Sequence, residues 1–145
     1  MKKWLFLLFI ITSLSGCDNT TKTYSSYSET LENDSIKSWL PDFFPKNASD
    51  IKFMSNLDLN SVSVYFSLPE NEGIKLNGTG ERMASSDGVN FIRRQDGNIT
   101  SVLCISSNYN LFNEKNYKHF LLGATNRKGQ YYLISVNDEQ YNVFC

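Results

Sequence analysis

The chain has 145 residues, 14 basic and 15 acidic side chains, and one histidine. The basic set includes Lys2 and Lys3, which leaves 12 against 15 acids in the rest of the chain, about −3 with no basic cluster. That balance argues against a nucleic-acid partner and against a polybasic hold on anionic lipid. The length fits one domain with a real core rather than two.

In chain order, Lys2 and Lys3 precede an apolar or small run from Trp4 to Leu14. This is the layout of a secretory leader, and it is too short to span a bilayer, which takes roughly 20 apolar residues. Leu14-Ser15-Gly16-Cys17 resembles the lipobox of bacterial lipoproteins at every position. The resemblance implies a signal peptide over 1–16, a diacylglyceryl group on Cys17 Sγ, and a mature chain that begins at an acylated Cys17. Several acyl chains hold a protein to a membrane almost irreversibly, where one chain does so only reversibly. Asp18-Asn19 resembles the retention signal of enterobacterial lipoproteins. It implies the inner membrane, facing the periplasm, with the outer membrane as the alternative under other sorting rules.

Residues 17–34 are polar and read as a lipidated flexible tether, and 35–145 as a single globular β-rich domain. A short helix is expected over 34–40, capped by Asp34 or Ser35, with Ile36, Trp39 and Leu40 on one side. Pro41 and Pro45 then force an extended path, with Phe43 and Phe44 buried and one helical turn near 47–50. The stretch LPDFFPKNASDI resembles small bacterial lipoproteins with similar spacing of LP, P, A and I. The likeness covers about a dozen residues and brings no activity with it.

Val62, Val64, Phe66 and Leu68 alternate with Ser61, Ser63, Tyr65 and Ser67, the mark of a half-buried strand. Ile51 to Leu57 is its expected partner across Asp58-Leu59-Asn60. Residues 69–90 carry no clear pattern. Beyond them three hairpins are expected: FIRRQ to NITSVLCIS across Asp96-Gly97, HFLLGAT to QYYLISV across 126–129, and a last strand QYNVFC after 137–139. The C-terminal half then reads as a meander near 90–95, 99–106, 118–125, 130–136 and 140–145.

With Cys17 lipidated, Cys104 and Cys145 remain, and two thiols in an oxidising compartment read as one disulfide. The alternative is two separate thiols. In a flat meander the two strands lie three places apart, so a bond between them requires a curled sheet, a barrel or a two-layer packing. The expected fold class is therefore mainly β, with α+β as the variant, and a short N-terminal helix.

The candidate chemistry is thin. His119 reads as a satisfied strand histidine, and without a second histidine a two-histidine zinc site is not expected. Asn77-Gly78-Thr79-Gly80 lacks the lysine and glycine spacing of a phosphate loop and reads as a turn. Glu70 with Glu72, or Glu81 with Asp87, can be posed as paired carboxylates for glycoside cleavage, though acidic loop residues are common. Arg93-Arg94 reads as a solvated strand end, and the three Asn-X-Ser/Thr matches at Asn47, Asn77 and Asn98 as chance. Among the many C-terminal aromatics, Tyr131 and Tyr132 must face opposite sides of a strand. Tyr131, Tyr132 and Tyr141 are accordingly the candidate interface residues.

No cofactor and no metal are expected. The leading functional expectation is a non-enzymatic, membrane-anchored protein-binding domain, in one version an immunity or inhibitor protein. An accessory lipoprotein of an envelope assembly or transport complex is the second reading, and a cell-wall or carbohydrate enzyme the third.

Overall fold

The computed structural model describes residues 19–32, 36, 38–75, 80–111 and 114–145, with 108–111 and 114–117 described by backbone only. Seven strands form one antiparallel sheet: β1 (Asn19–Ser26), β2 (Ser49–Asn56), β3 (Ser61–Ser67), β4 (Gly80–Met83), β5 (Ile99–Leu111), β6 (Glu114–Thr125) and β7 (Gln130–Val136). Their order across the sheet is β1-β2-β3-β7-β6-β5-β4. Short helices α1 (Tyr27–Leu31), α2 (Ser86–Gln95) and α3 (Asp138–Phe144) complete the described elements. The mainly β class holds, and the sheet does not close into a barrel.

Alternation places a core on each face of this sheet. On the first face β3 contributes Val62, Val64 and Phe66, β2 contributes Ile51 and Phe53, and β6 contributes Phe120 and Leu122. The segment 36–48 covers them, with Ile36, Phe44 and Ala48 buried. Backbone N–H groups of Trp39 and Leu40 donate to the Ile36 carbonyl, so one helical turn is present in the described part of the expected helix. On the second face Val102, Cys104, Leu121, Tyr132 and Val136 pack under α2 and α3, with Ile92 of α2 wholly buried. Each fully buried aliphatic or aromatic side chain contributes about 1.5–3 kcal/mol.

Three expectations are corrected. Residues 19–26, expected within the flexible tether, form β1, in register with β2 from Asn19 opposite Asn56 to Ser26 opposite Ser49. FIRRQ, expected as a strand, belongs to α2. Ser85 caps that helix by accepting a hydrogen bond from the Gly88 N–H, Asp87 sits in its first turn, and Arg93 and Arg94 lie in its last. Those charges suit the helix dipole. Asp96-Gly97 is then a helix-to-strand link, not a type I′ hairpin. The Asp96 carboxylate accepts the Asn98 N–H at 2.9 Å, and among the described glycines only Gly129 has positive φ. QYNVFC, also expected as a strand, is the body of α3. Its start is a capping box: Gln140 N–H donates to Asn137 Oδ1 at 2.8 Å, and Asn137 N–H donates to Gln140 Oε1 at 3.0 Å.

The helical C-terminus explains how Cys104 and Cys145 meet although the sheet does not close into a barrel. Helix α3 lies back over the second face, and the two sulfurs stand 1.98 Å apart with Cα atoms 5.9 Å apart. Its end is seated against α2: the Ser85 N–H donates to the Phe144 carbonyl at 2.7 Å, and Phe91 stacks on Phe144 at 4.6 Å. Gly88 permits that approach, since a Cβ there would stand 2.5 Å from the Phe144 carbonyl oxygen.

Candidate functional site

The strand directions gather several features at one end of the sheet. Asn19 opens β1 beside Asn56, the last residue of β2. The Leu57–Asn60 turn follows, and His119 of β6 pairs with Val136 at the end of β7. A cleft of about 980 Å³ opens here, bordered by Trp39, Leu59, Ser61, His119, Asp138 and Glu139. Beside it β5 and β6 run on as a two-stranded ribbon, Ser107 opposite Lys118 through to Leu111 opposite Glu114. Among the described residues, no third strand pairs with β6 over 114–117.

The side chains of His119, Tyr141, Asp138 and Arg82 form one layered cluster next to the cleft. The His119 and Tyr141 rings stack at 4.0 Å, and the Arg82 guanidinium lies 5.0 Å from the centre of the Tyr141 ring. His119 Nε2 stands 3.3 Å from Asp138 Oδ1, the histidine 14% exposed and the aspartate 86%. Burial pushes the His119 imidazole below its ordinary range. The Asp138 carboxylate opposes that shift and the Arg82 cation adds to it. The ring is thus a neutral packing element at neutral pH.

The unfolded chain takes up the histidine proton near pH 6.5, before the folded chain does. The contribution of the neutral, half-buried ring is therefore complete above that pH and is lost as pH falls towards the lowered folded value. Between about pH 7.5 and about pH 5.5, above most carboxylate titrations, the melting temperature is expected to fall. His119→Phe keeps a flat ring against Tyr141 and is expected to flatten the dependence. An equal slope in both proteins would mean the imidazole carries none of it. Thermal melts across that range decide the matter.

The three candidate interface tyrosines do not share a surface. Tyr131 lies on the first face, half-buried and stacked on Phe66 at 5.5 Å. Tyr132 lies on the second face, 3% exposed, with its ring 4.4 Å from Tyr65. Burial pushes its phenol up, and it is a core residue with no surface to offer a partner. The neighbouring Tyr65 phenol is pushed up to about 12, first by burial and then by the Asp96 carboxylate. Tyr141 is half-buried between His119 and Arg82.

The posed carboxylates fall on three segments. Glu70 and Glu72 follow β3, where Glu72 accepts from the Asn47 side-chain amide. Glu81 is on edge strand β4, while Asp87 is in the first turn of α2. Arg93 is no free strand end: its guanidinium donates to the carbonyls of Ile99 and Thr100. Asn77, Thr79 and most of that turn lie outside the described residues, as does Cys17. Among the described residues no helix is long and apolar enough to cross a membrane.

Arg82 and Asp138 were not singled out in the sequence. Arg82 falls in the stretch without a pattern. The Asp138 partnership depends on α3, whose signal was the Asn137-to-Gln140 capping spacing.

A family model described as the YbbD head domain matches residues 18–67, about a third of the chain, spanning β1, α1, β2 and β3. The match suggests a bacterial family and gives no indication of an enzyme. No curated protein and no solved structure matches the chain.

Proposed function

We propose that this chain is a bacterial envelope lipoprotein, acylated at Cys17, that works without catalysis by gripping a protein at the membrane surface. The lipobox residues Leu14-Ser15-Gly16-Cys17 supply the anchoring half of the reading. The observation that carries the binding half is the β5–β6 ribbon. Five register pairs extend past the sheet, from the end at which β1 begins. At about 3.3 Å per residue the extension is on the order of 17 Å. A two-stranded ribbon standing alone is marginal in water, and a third strand or a packed partner stabilises it. Over 114–117 no described strand pairs with the outer side of β6, which suits a partner that adds a strand.

The test is site-specific photocrosslinking in intact cells, with the reactive group at position 110 in the ribbon or at exposed position 128 at the far end of the sheet. One discrete protein adduct is expected at 110 and none at 128. Identical adduct patterns at both positions would overturn the binding site. Membrane fractionation of Cys17→Ser checks the anchor separately, with release into the soluble fraction expected.

A further inference from the structure

This inference rests on the anchoring just proposed and concerns the surface beside the anchor. Cys17 precedes Asn19 by two residues, so the chain between them spans at most about 7 Å. Asn19 is in register with Asn56 on the neighbouring strand, roughly 5 Å away. Leu57 is the next residue. The Leu57 and Cys17 backbones thus lie within about 16 Å of each other whatever path residues 17 and 18 take.

The turn at that spot is built to show apolar side chains. Leu57 is 59% exposed and Leu59 is 74% exposed, the latter the most exposed of the large hydrophobic residues described. The turn holds them in place: the Leu59 N–H donates to Asn56 Oδ1 at 2.8 Å, and the Asn60 N–H donates to the Leu57 carbonyl at 3.2 Å. Asn60 sits at φ 47°, the left-handed conformation that Asn tolerates. Asp58 lies between the two leucines, and Lys118, Asp138 and Glu139 border the adjoining cleft.

We infer that the Leu57–Asn60 turn is a second membrane contact, with Leu57 and Leu59 dipping into the interfacial layer beside the acyl chains of Cys17. The occupant is the bilayer that carries the anchor, because two residues of chain leave this turn little room to stand away from it. The leucines favour the acyl boundary, while Asp58 between them stays at the headgroup level. The contact also sets orientation: the sheet stands with its β1-to-β3 corner down, and the ribbon of β5 and β6 is brought to the membrane surface.

The probe is an environment-sensitive fluorophore on Asp58→Cys in the full lipidated chain, with the same label on Lys128→Cys as the far-end control. Native thiols do not compete, since Cys17 is acylated and Cys104 is paired with Cys145. The protein is reconstituted into vesicles of phosphatidylethanolamine and phosphatidylglycerol, with nitroxide quenchers at the headgroup or high on the acyl chain. Expected are a blue shift and quenching at 58, neither at 128, and loss of both at 58 in an L57S/L59S background that melts as the parent does. A label at 58 that behaves like the one at 128, on protein whose intact mass shows acylation, overturns the inference and leaves the anchor standing. Absence of acylation at Cys17 in the intact mass overturns the anchor and this inference together.

Discussion

Replacing Cys104 and Cys145 together by serine is expected to lower the unfolding free energy by about 4 kcal/mol, on the entropic account of a loop of this length. The bond joins residues 41 apart in sequence. The double change is the clean form, because either single variant leaves an unpaired thiol. The structural reason for a large effect is the size of α3. Seven residues make a helix that is marginal by itself in water, so its stability comes from what it is fixed to. The other fixings are the capping box, the Phe91–Phe144 stack and the Ser85 bond to the Phe144 carbonyl. With the covalent link gone, α3 is expected to open before the sheet does, taking Tyr141 from its place between His119 and Arg82. Urea unfolding of both proteins checks the global loss, and amide exchange over 138–144 checks the local one. A loss under about 1 kcal/mol, well below the usual range for a native disulfide, would mean that the noncovalent fixings suffice.

The sheet's centre was legible in the sequence, and its margins were not. Strand β3 announces itself because one face is buried and the other is not, so Val62, Val64 and Phe66 alternate with serines and Tyr65. The β6–β7 hairpin is equally plain, with Gly129 at φ 76° and a Cβ there destined to strike the Leu68 carbonyl. Strand β1 was hidden because an edge strand with most residues exposed needs few apolar side chains. What orders NTTKTYSS is its ladder to β2, and a ladder leaves no periodicity in its own segment. The two helices were misread for a different reason. Phe91-Ile92 and Val143-Phe144 suit either a strand or a short helix. The deciding information lay in the caps, Ser85 to Gly88 and Asn137 to Gln140, rather than in the apolar residues.

The same error concealed most of the site. His119 was in view, but its partners come from α3 and from β4, the first read as a strand and the second lying in a stretch that gave no pattern. A side-chain cluster assembled from 82, 119, 138 and 141 becomes visible only once the C-terminal segment turns back over the sheet. The tyrosines show the converse. Sequence alone placed Tyr131 and Tyr132 on opposite faces, which is correct, yet could not say that both faces are covered at β7.

Because both faces are covered, deleting a side chain at the sheet's centre should be costly, and Phe120→Ala is expected to lose about 3–5 kcal/mol. Phe120 is 2% exposed and among the largest fully buried side chains. Its ring meets Phe43 edge-on at 5.5 Å, so it both fills the first-face core and holds the 36–48 segment over it. Against a total stability of about 5–15 kcal/mol for a domain of ordinary size, that loss is about a fifth or more. The neighbouring Leu121 points into the other core and is wholly buried. Leu121→Ala, expected to cost about 2–5 kcal/mol, tests the second layer as Phe120→Ala tests the first. Amide exchange separates them: the Phe120 variant should loosen 38–48 while α2 stays protected, and the Leu121 variant should do the reverse. Uniform loosening in both variants would mean that the layers do not respond separately and that the sheet and its two covers open as one unit.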